Sequence, residues 1–390
     1  MIRKLLMLAA AAAMVQFLTA CGILDSCKTA TTAPVKTAEV KTAVPAATKS
    51  HAKYQAPKLE NANSWTMVVV PDVQGYTKLR RNYGILEIMH AWIVDNREKM
   101  NINQVLFTGD LTNRNDLTFV DRGRNDLMSD EQWKAFSRAA ERLDGEVPYI
   151  LCTGNHDYGK SSAENRNSFF SKYFPTDRNP LTRRQLVACN SNAFGITTME
   201  NAIYEFTAPH PDNRKFLIIS LQFAPTDADL AWAKKIIEQP RFANHTGIVL
   251  THSYLNWQGK RIEQEKYALS KKGGNAGEGI FQKLIYPAKN IRMVICGHIA
   301  YPDQWEKGIS FSMDKNSSGK SVAQMAFNTQ AIGGGWHGSG GDGWLRLLEF
   351  MPDKKTVKAR TFSPFFALSP STRHLAWKHD NLSEFEFVIE

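Results

Sequence analysis

The chain has 390 residues, of which 43% are hydrophobic and 22% are charged. This composition allows a substantial buried core and excludes a chain that is disordered overall. The formal net charge is +10; two of these charges lie in the first 21 residues and three in residues 22–60, which leaves +5 on residues 61–390. Such an excess suits anionic ligands, and because no basic stripe with interleaved aromatic residues occurs, we predict no specific nucleic-acid binding.

The N-terminus has the pattern of a secretory signal. Arg3-Lys4 precede an apolar stretch, Leu5 to Leu18, that is short and rich in alanine for a membrane span. The stretch ends in Leu18-Thr19-Ala20-Cys21, which resembles a bacterial lipoprotein lipobox. The resemblance implies a signal peptide over residues 1–20, cleavage before Cys21 and lipidation of the Cys21 thiol. A plain signal peptide with an incidental cysteine is the alternative.

Residues 21–60 predict a lipidated, disordered tether, because they are rich in Ala, Thr, Lys and Pro and show no apolar periodicity. A tether of this length would let the domain stand on the order of 35 Å from the membrane. The lipobox resemblance implies the outer membrane, because Gly22 rather than an Asp follows the cysteine. We therefore expect a secreted lipoprotein that is anchored in the outer membrane through Cys21 and faces the periplasm or the cell surface.

The folded part begins near Trp65 with alternating strands and helices. A β-branched run at 66–70 predicts a strand that is closed by Pro71-Asp72-Val73-Gln74. An amphipathic helix over about 85–93 follows, and a second buried strand at 105–108 ends in Gly109-Asp110.

A second helix is predicted to open at Ser129, where Ser129-Asp130-Glu131-Gln132 has the spacing of a capping box. The next apolar run, 147–152, leads into Gly154-Asn155-His156-Asp157. The predicted order is therefore strand, helix, strand, helix and strand. Elements of these lengths in this order predict a parallel β-α-β arrangement.

Residues 160–202 predict an irregular excursion over the site. Helices are expected near 230–237 and 279–284, and two of the later strands end at His252 and at Gly297-His298. The strands predicted from this half of the chain are 203–207, 215–221, 247–250, 292–296, 309–313, 322–327, 344–350, 357–362 and 385–389. A glycine-rich loop, 333–343, contains Trp336 and His337. Since no internal boundary is evident, we expect one domain over residues 61–390.

Five predicted strand ends carry side chains with nitrogen or oxygen ligand atoms. They are Asp72 with Gln74, Asp110, Asn155 with His156, His252, and His298. A single histidine after a strand is more often a hydrogen-bonded structural residue than a ligand. Five such motifs favour a shared site instead, because ligands of open α/β sheets bind at the carboxyl ends of the strands. Asp, Asn and His side chains suit Mn, Fe or Zn.

In this order the motifs resemble those of the calcineurin-like metallophosphoesterases. The family pattern is Asp-x-His, Gly-Asp, Gly-Asn-His-Asp/Glu, a later His, and Gly-His-x-His, and the resemblance runs from about residue 65 to the C-terminus. The first motif and the segment Gly341 to Phe350 also resemble a secreted bacterial branch with Gln in the first motif. The resemblance implies an α/β fold with four layers, α/β/β/α, in which two mixed central sheets are flanked by helices.

The resemblance also implies two metal sites that share Asp110 as a bridging carboxylate. The second site is complete, with Asp110, Asn155, His252 and His298. The first would have Asp72, Asp110 and Gln74, with Ala300 at the position of its remaining histidine. We expect one or two divalent transition metals (Mn, Fe or Zn), with the first site weakened unless water or a residue such as His337 compensates.

The resemblance also implies catalytic and substrate-binding roles for residues that are not metal ligands. His156, which is not a ligand in the family, would donate a proton to the leaving oxygen or stabilise charge, and Asp157 would orient it. Asn113, Arg114 and His337 are candidate substrate-binding residues, with an exposed polar loop as the equal alternative for the first two.

The expected reaction is metal-dependent hydrolysis of a phosphomonoester or phosphodiester by a metal-activated hydroxide. The rival is a catalytically weakened protein of this fold that binds a phosphorylated or glycan ligand in the same cleft. Substrate identity and oligomeric state are not predicted.

Overall fold

A computed structural model describes residues 54–120 and 126–390. These residues belong to one compact unit. The predicted signal peptide, the lipidation site at Cys21 and residues 21–53 of the predicted tether lie outside the described residues. Within the described ranges, no helix combines the length and the apolar character needed to cross a bilayer.

The first of two mixed sheets contains seven strands. They are β1 (Trp65–Val70), β2 (Ile102–Phe107), β3 (Tyr149–Leu151), β11 (Leu345–Phe350), β12 (Thr356–Phe362), β13 (Trp377–Lys378) and β14 (Glu384–Val388). The strand order is β13-β12-β11-β1-β2-β3, and β14 shares the outer edge of β12 with β13. Strands β1, β2 and β3 are parallel, whereas β11 runs antiparallel to β1.

The second sheet also has seven strands. They are β4 (Leu186–Ser191), β5 (Thr197–Thr207), β6 (Lys215–Ser220), β7 (Thr246–Leu250), β8 (Ile291–Cys296), β9 (Ile309–Lys315) and β10 (Ser321–Phe327). The order is β4-β5-β6-β7-β8-β10-β9, in which β6, β7, β8 and β10 are parallel neighbours. The first sheet therefore has its parallel strands on one side, with β3 at the edge, and antiparallel strands on the other side. The second sheet has a parallel centre with antiparallel strands at both margins.

The described helices are mostly short. The α-helices are α1 (Gln74–Thr77), α2 (Tyr83–Asp95), α3 (Ser129–Glu141), α4 (Phe170–Tyr173), α5 (Pro180–Gln185), α6 (Asp227–Ile237), α7 (Ala268–Lys271), α8 (Gly277–Ile280) and α9 (Pro364–Leu368). A π-helical turn, Phe281–Ile285, continues α8. Turns of 3₁₀ helix lie at Arg80–Asn82, Asn155–Asp157, Pro240–Phe242, Trp305–Lys307, Gly335–His337 and Arg373–Leu375.

The core places the two sheets face to face between helices. Along β7, Ile248 and Leu250 belong to the cluster shared with the first sheet, whereas Val249 between them packs with α6 residues such as Leu230. This alternation follows from the two-residue period of a strand. Trp65 of β1 meets Phe216 of β6 edge-on across the sheets, with ring centroids 5.4 Å apart. The predicted four-layer α/β/β/α sandwich is confirmed.

Two local predictions differ from the structure. Helix α3 begins at Ser129 as expected, but no side chain caps it; the Ser129 hydroxyl instead accepts a hydrogen bond from the Leu117 main chain. Strand β4 lies within the stretch predicted to be irregular, where it pairs antiparallel with β5. Its residues are nearly all half-buried, so the sequence lacks the apolar–polar alternation that marks a strand.

The last residues of the predicted tether lie against the first sheet. The Trp377 indole donates to the Gln55 carbonyl at 2.9 Å, and Arg360 donates to the Lys58 carbonyl at 2.9 Å. Pro57 between them is buried. Residues 54–60 are therefore part of the folded unit, and the predicted boundary at residue 61 is too late.

Candidate functional site

The carboxyl ends of six strands, three from the parallel part of each sheet, meet at one cleft of about 380 Å³. Strands β1, β2 and β3 come from the first sheet, and β7, β8 and β10 from the second. The side chains that follow these strands are Asp72 and Gln74, Asp110, Asn155 and His156, His252, His298, and Gln330. Motifs that are far apart in sequence thus become neighbours, as an open α/β arrangement predicts.

Glycines allow the strand-end loops to approach this closely. A Cβ atom added to Gly154 would lie 2.1 Å from Asp110 Oδ1, and one added to Gly109 would lie 2.7 Å from His252 Nδ1. Gly109 also has φ +106°, a conformation that other residues rarely adopt. The glycines of both motifs are therefore needed for close packing around Asp110.

One group of four ligand atoms consists of His252 Nε2 and three atoms around it. This atom lies 3.0 Å from Asn155 Oδ1, 3.1 Å from His298 Nδ1 and 3.4 Å from Asp110 Oδ1. The His252 Nδ1 atom lies 2.8 Å from the Thr108 carbonyl, so as a donor it leaves Nε2 free as a ligand. Two nitrogen and two oxygen atoms at this spacing could hold one divalent transition metal.

Glu265 orients the second histidine of this group. His298 Nε2 lies 3.0 Å from Glu265 Oε1, which also accepts from the Ser253 hydroxyl at 2.6 Å. A carboxylate on the outer nitrogen of a ligating histidine fixes the ring and raises its basicity. Glu265 belongs to no motif and was not predicted; its place in the loop after β7 offers no sequence signal.

Buried charge is concentrated at this point. Asp72, Asp110 and His252 place ligand atoms within 4.8 Å of one another. Burial alone would lower the pKa of His252, but the Asp110 and Asp72 carboxylates raise it to about 10. Burial would raise the pKa of Asp110, yet His252 and His156 hold it below its usual range. Such a concentration of carboxylate and imidazole groups fits a cation as well as a proton.

A second group of polar atoms lies on the other side of Asp110. The Gln74 amide nitrogen donates to Asp110 Oδ2 at 2.9 Å, whereas Oδ1 faces His252. Asp110 thus offers one oxygen to each group. Asp72 accepts hydrogen bonds from the Thr108 hydroxyl (2.8 Å), the His298 main chain (3.0 Å) and the Asn328 amide (2.7 Å). Burial raises the pKa of Asp72 to about 7, against the opposing effect of His252.

The polar atoms of this second group are not all satisfied. Gln74 Oε1 is buried and has no hydrogen-bond partner among the residues that the structure describes. Ala300, where the sequence resemblance led us to expect a histidine, carries no ligand atom. Asn328 and Gln330 after β10 contribute instead to the surroundings of Asp72, and neither was singled out from the sequence.

His156 lies at the cleft with one ring nitrogen engaged. Its Nδ1 atom lies 2.9 Å from the Asn113 carbonyl, and its main-chain N–H donates to Asp110 Oδ1 at 2.9 Å. Burial lowers the pKa of His156, partly offset by Asp110. With Nδ1 donating to a carbonyl, Nε2 is the nitrogen left for a ligand.

Asp157 has a different role from the one expected. Its carboxylate accepts from the main-chain N–H groups of Gly154 (2.8 Å), Leu111 (3.1 Å) and Thr112 (3.0 Å), and from the Thr112 hydroxyl (3.3 Å). None of these donors is the His156 ring, which the Asn113 carbonyl holds instead. Burial and the Asp110 carboxylate raise the pKa of Asp157, while the main-chain donors oppose the rise. Asp157 therefore fixes the loop that carries Asp110.

The three candidate substrate-binding residues all line the cleft, together with Lys78, Tyr267 and Trp336. Arg114 is only 7% exposed and donates to Ser161, so the alternative of an exposed polar loop does not hold for it. The Asn113 amide donates to Asp126 at 2.6 Å. His337 is exposed, and its carbonyl accepts from Arg81.

Comparison with known proteins establishes the family. The calcineurin-like phosphoesterase family profile matches residues 66–302, so the chain belongs to that family, as its motifs predicted. The uncharacterized protein YvnB of Bacillus subtilis (strain 168) is 27% identical over 310 residues, which cover 77% of this chain and 20% of YvnB. The chain thus spans about a fifth of the length of that relative.

A solved structure, "GAP50 the anchor in the inner membrane complex of Plasmodium", superposes over 84% of this chain and 89% of its own, with 10% identity and a TM-score of 0.40. Similarity at this level carries no argument about function. The buried Asp-Asp-His group could hold a divalent metal of the kind that this family uses.

Proposed function

We propose that this chain hydrolyses a phosphomonoester or phosphodiester with the help of one or two divalent metals. The observation that carries the proposal is a group of four ligand atoms, His252 Nε2 and the three atoms within 3.4 Å of it, with both imidazole rings held by outer hydrogen bonds. When bound there, a divalent metal supplies a Lewis acid and an activated water. Asp110 would bridge to the weaker site beside Asp72 and Gln74.

The role of His156 follows from its single free nitrogen. Its Nδ1–H on the Asn113 carbonyl fixes the ring, so Nε2 would hold the proton for the leaving oxygen. Burial lowers the pKa of His156, and a phosphoester anion in the cleft would raise it again. His156 would therefore be protonated mainly when substrate is bound.

The positive charges at the cleft would position the phosphoryl group. Arg114 and Lys78 both line it, and a guanidinium can bind two phosphate oxygens at once. Arg114 is held by Ser161 and by Asp126, whose carboxylate lies 3.7 Å from its Nε atom. Trp336 and His337 lie on the glycine-rich loop, where they would contact the group esterified to the phosphate.

Metal counting combined with hydrolysis of aryl phosphate monoesters and diesters tests the function. We expect turnover to vanish after chelation and to return with Mn²⁺. His156→Ala should lower kcat by about 10²–10⁴-fold, the usual contribution of a general acid, with metal content unchanged. The absence of metal-dependent turnover on a broad panel of phosphoesters would refute the proposal.

Ala300 is the observation that favours the rival function. Because alanine cannot ligate a metal, a protein that binds a phosphorylated or glycan ligand without turnover is the second candidate. If this second candidate is correct, the wild type shows no turnover, and His156→Ala still binds the ligand.

We also propose that the domain is lipid-anchored through Cys21 and faces the periplasm or the cell surface. The lipobox resemblance supports this location. Cys21→Ser should move the protein from the membrane fraction to the soluble fraction and abolish labelling by a fatty-acid probe. Equal membrane association of the variant would exclude the anchor.

A further inference from the structure

Gln330 is a polar side chain at the metal centre that belongs to none of the family motifs. It follows β10, lines the cleft and is only 6% exposed. Its amide nitrogen lies 3.4 Å from Asp72 Oδ2, and its amide oxygen accepts from the Gln74 amide. Gln330 therefore contacts two of the three residues that the resemblance assigns to the first metal site.

The main chain around Gln330 is fixed to the same site. The Gln330 N–H donates to Asn328 Oδ1 at 3.0 Å, and the Asn328 amide donates to Asp72 Oδ2 at 2.7 Å. The Asn328 N–H is in turn bound to the Gly308 carbonyl at 2.8 Å. A side chain held in this way is pre-positioned and loses little conformational freedom when it takes up a ligand.

One oxygen atom at this position lacks a partner that a cation would supply. Gln74 Oε1 is buried without a hydrogen-bond partner in the described part of the chain, and burying a polar atom without a partner is unfavourable. A half-turn of a carboxamide about its last side-chain bond exchanges its oxygen and nitrogen. Gln74 and Gln330 can therefore both present oxygen where their nitrogens now face Asp110 and Asp72.

We propose that the Gln330 carboxamide oxygen replaces the histidine that Ala300 lacks, completing the first metal site. This inference rests on the metal centre of the proposed function. The site then consists of oxygen ligands alone, from Asp72, Gln74, Asp110 and Gln330. Oxygen ligands select hard cations such as Mn²⁺ or Mg²⁺, whereas the two imidazoles beside Asn155 also suit Zn²⁺. The two sites should consequently differ in the metal that they prefer.

Metal titration of five proteins tests the proposal: the wild type, Gln330→Met, Gln330→Glu, Gln104→Met and His337→Ala. Methionine keeps the volume of glutamine but offers only a soft sulfur, and glutamate keeps an oxygen ligand. Gln104 is a buried glutamine in the middle of β2, outside the cleft lining, so Gln104→Met is the matched control. Zn²⁺ and Mn²⁺ binding are measured by calorimetry and by elemental analysis after gel filtration.

We expect two metal equivalents in the wild type, in Gln104→Met and in Gln330→Glu. Gln330→Met should keep the Zn²⁺ equivalent, which shows that it is folded, and bind the Mn²⁺ of the other site about 10–100-fold more weakly. The EPR signature of a coupled Mn²⁺ pair should be lost in this variant alone. His337→Ala should bind both metal equivalents with the affinities of the wild type.

Three results would overturn the assignment: a single equivalent in the wild type, unchanged Mn²⁺ affinity in Gln330→Met, or loss of the equivalent in His337→Ala instead. Phosphoester hydrolysis measured in parallel separates this proposal from the function on which it rests. If the wild type hydrolyses substrate and Gln330→Met keeps its Mn²⁺, Gln330 is not a metal ligand, but the proposed hydrolase function stands. If Mn²⁺ binding depends on Gln330 but no turnover occurs, the hydrolase function is refuted and the assignment of Gln330 stands.

Discussion

Replacing Asp157 by asparagine should loosen the loop that carries Asp110. The Asp157 carboxylate accepts four hydrogen bonds, two at each oxygen: Gly154 and Leu111 at Oδ2, and the Thr112 main chain and hydroxyl at Oδ1. Asparagine has one acceptor oxygen, so whichever pair it keeps, the other two donors face an amide group. Asp157 is fully buried, and water cannot take over the lost contacts.

The magnitude follows from these contacts. A buried donor that loses its acceptor costs about 1–3 kcal/mol, so two such donors cost about 2–6 kcal/mol, and removal of a buried charge whose pKa is raised offsets part of this. A domain of this kind is stable by only about 5–15 kcal/mol, so the effect is large. Since the same loop holds Asp110, metal affinity should fall about 10–100-fold, as for other changes in the surroundings of a metal ligand.

Urea denaturation of the metal-free protein and Mn²⁺ calorimetry measure both effects. His156→Ala is the comparator, because its half-buried ring makes one hydrogen bond to the Asn113 carbonyl, whereas the His156 main-chain N–H to Asp110 remains. That variant should lose less than about 1.5 kcal/mol and keep its metal affinity. If Asp157→Asn lowers turnover but leaves stability and metal affinity unchanged, Asp157 acts on His156 and the structural argument is refuted.

Two further predictions concern burial and close packing. Burial lowers the pKa of His90 from 6.5 to about 4, so stability that is complete above pH 6.5 should fall by about 3 kcal/mol as the pH drops to 4. His90→Asn, which can still donate to the Ala139 carbonyl, should lose that part of the pH dependence in urea denaturation of the metal-free protein; an unchanged pH dependence would contradict this. Gly154→Ala should cost roughly 1–3 kcal/mol and abolish metal binding, because its Cβ would lie 2.1 Å from Asp110 Oδ1. Gly84→Ala, in helix α2 with nothing within 4 Å of the new Cβ, is the control; equal metal binding in both variants would contradict the packing argument.

Much of the fold was predictable because its signals are local. Apolar runs such as 66–70 and 105–108 predicted parallel strands of the first sheet, and α2 and α3 followed from their helical periodicity. The wrong local predictions occur where contacts with other parts of the chain override the sequence pattern of a strand or a helix cap. Strand β4 lacks alternation because it is only half-buried, and the Ser129 hydroxyl bonds to Leu117 instead of capping its helix.

The sequence by itself determined which ligand-bearing residues come together. Asp72, Asp110, Asn155, His252 and His298 each follow an apolar run, and parallel strands bring such ends to one edge of a sheet. Their order along the chain also identified the family, which the comparison confirmed. Neither inference needed a contact between distant residues.

Only the tertiary structure decided what each neighbouring residue does. It showed that Asp157 holds the loop that carries Asp110 and that a carbonyl orients the His156 ring. It also placed Glu265 beside the outer nitrogen of His298. It also brought Asn328 to Asp72 across 256 residues, and with it Gln330. A hydrogen-bond partner depends on the distance between atoms, and no local pattern of residue types encodes that distance for elements so far apart in the chain.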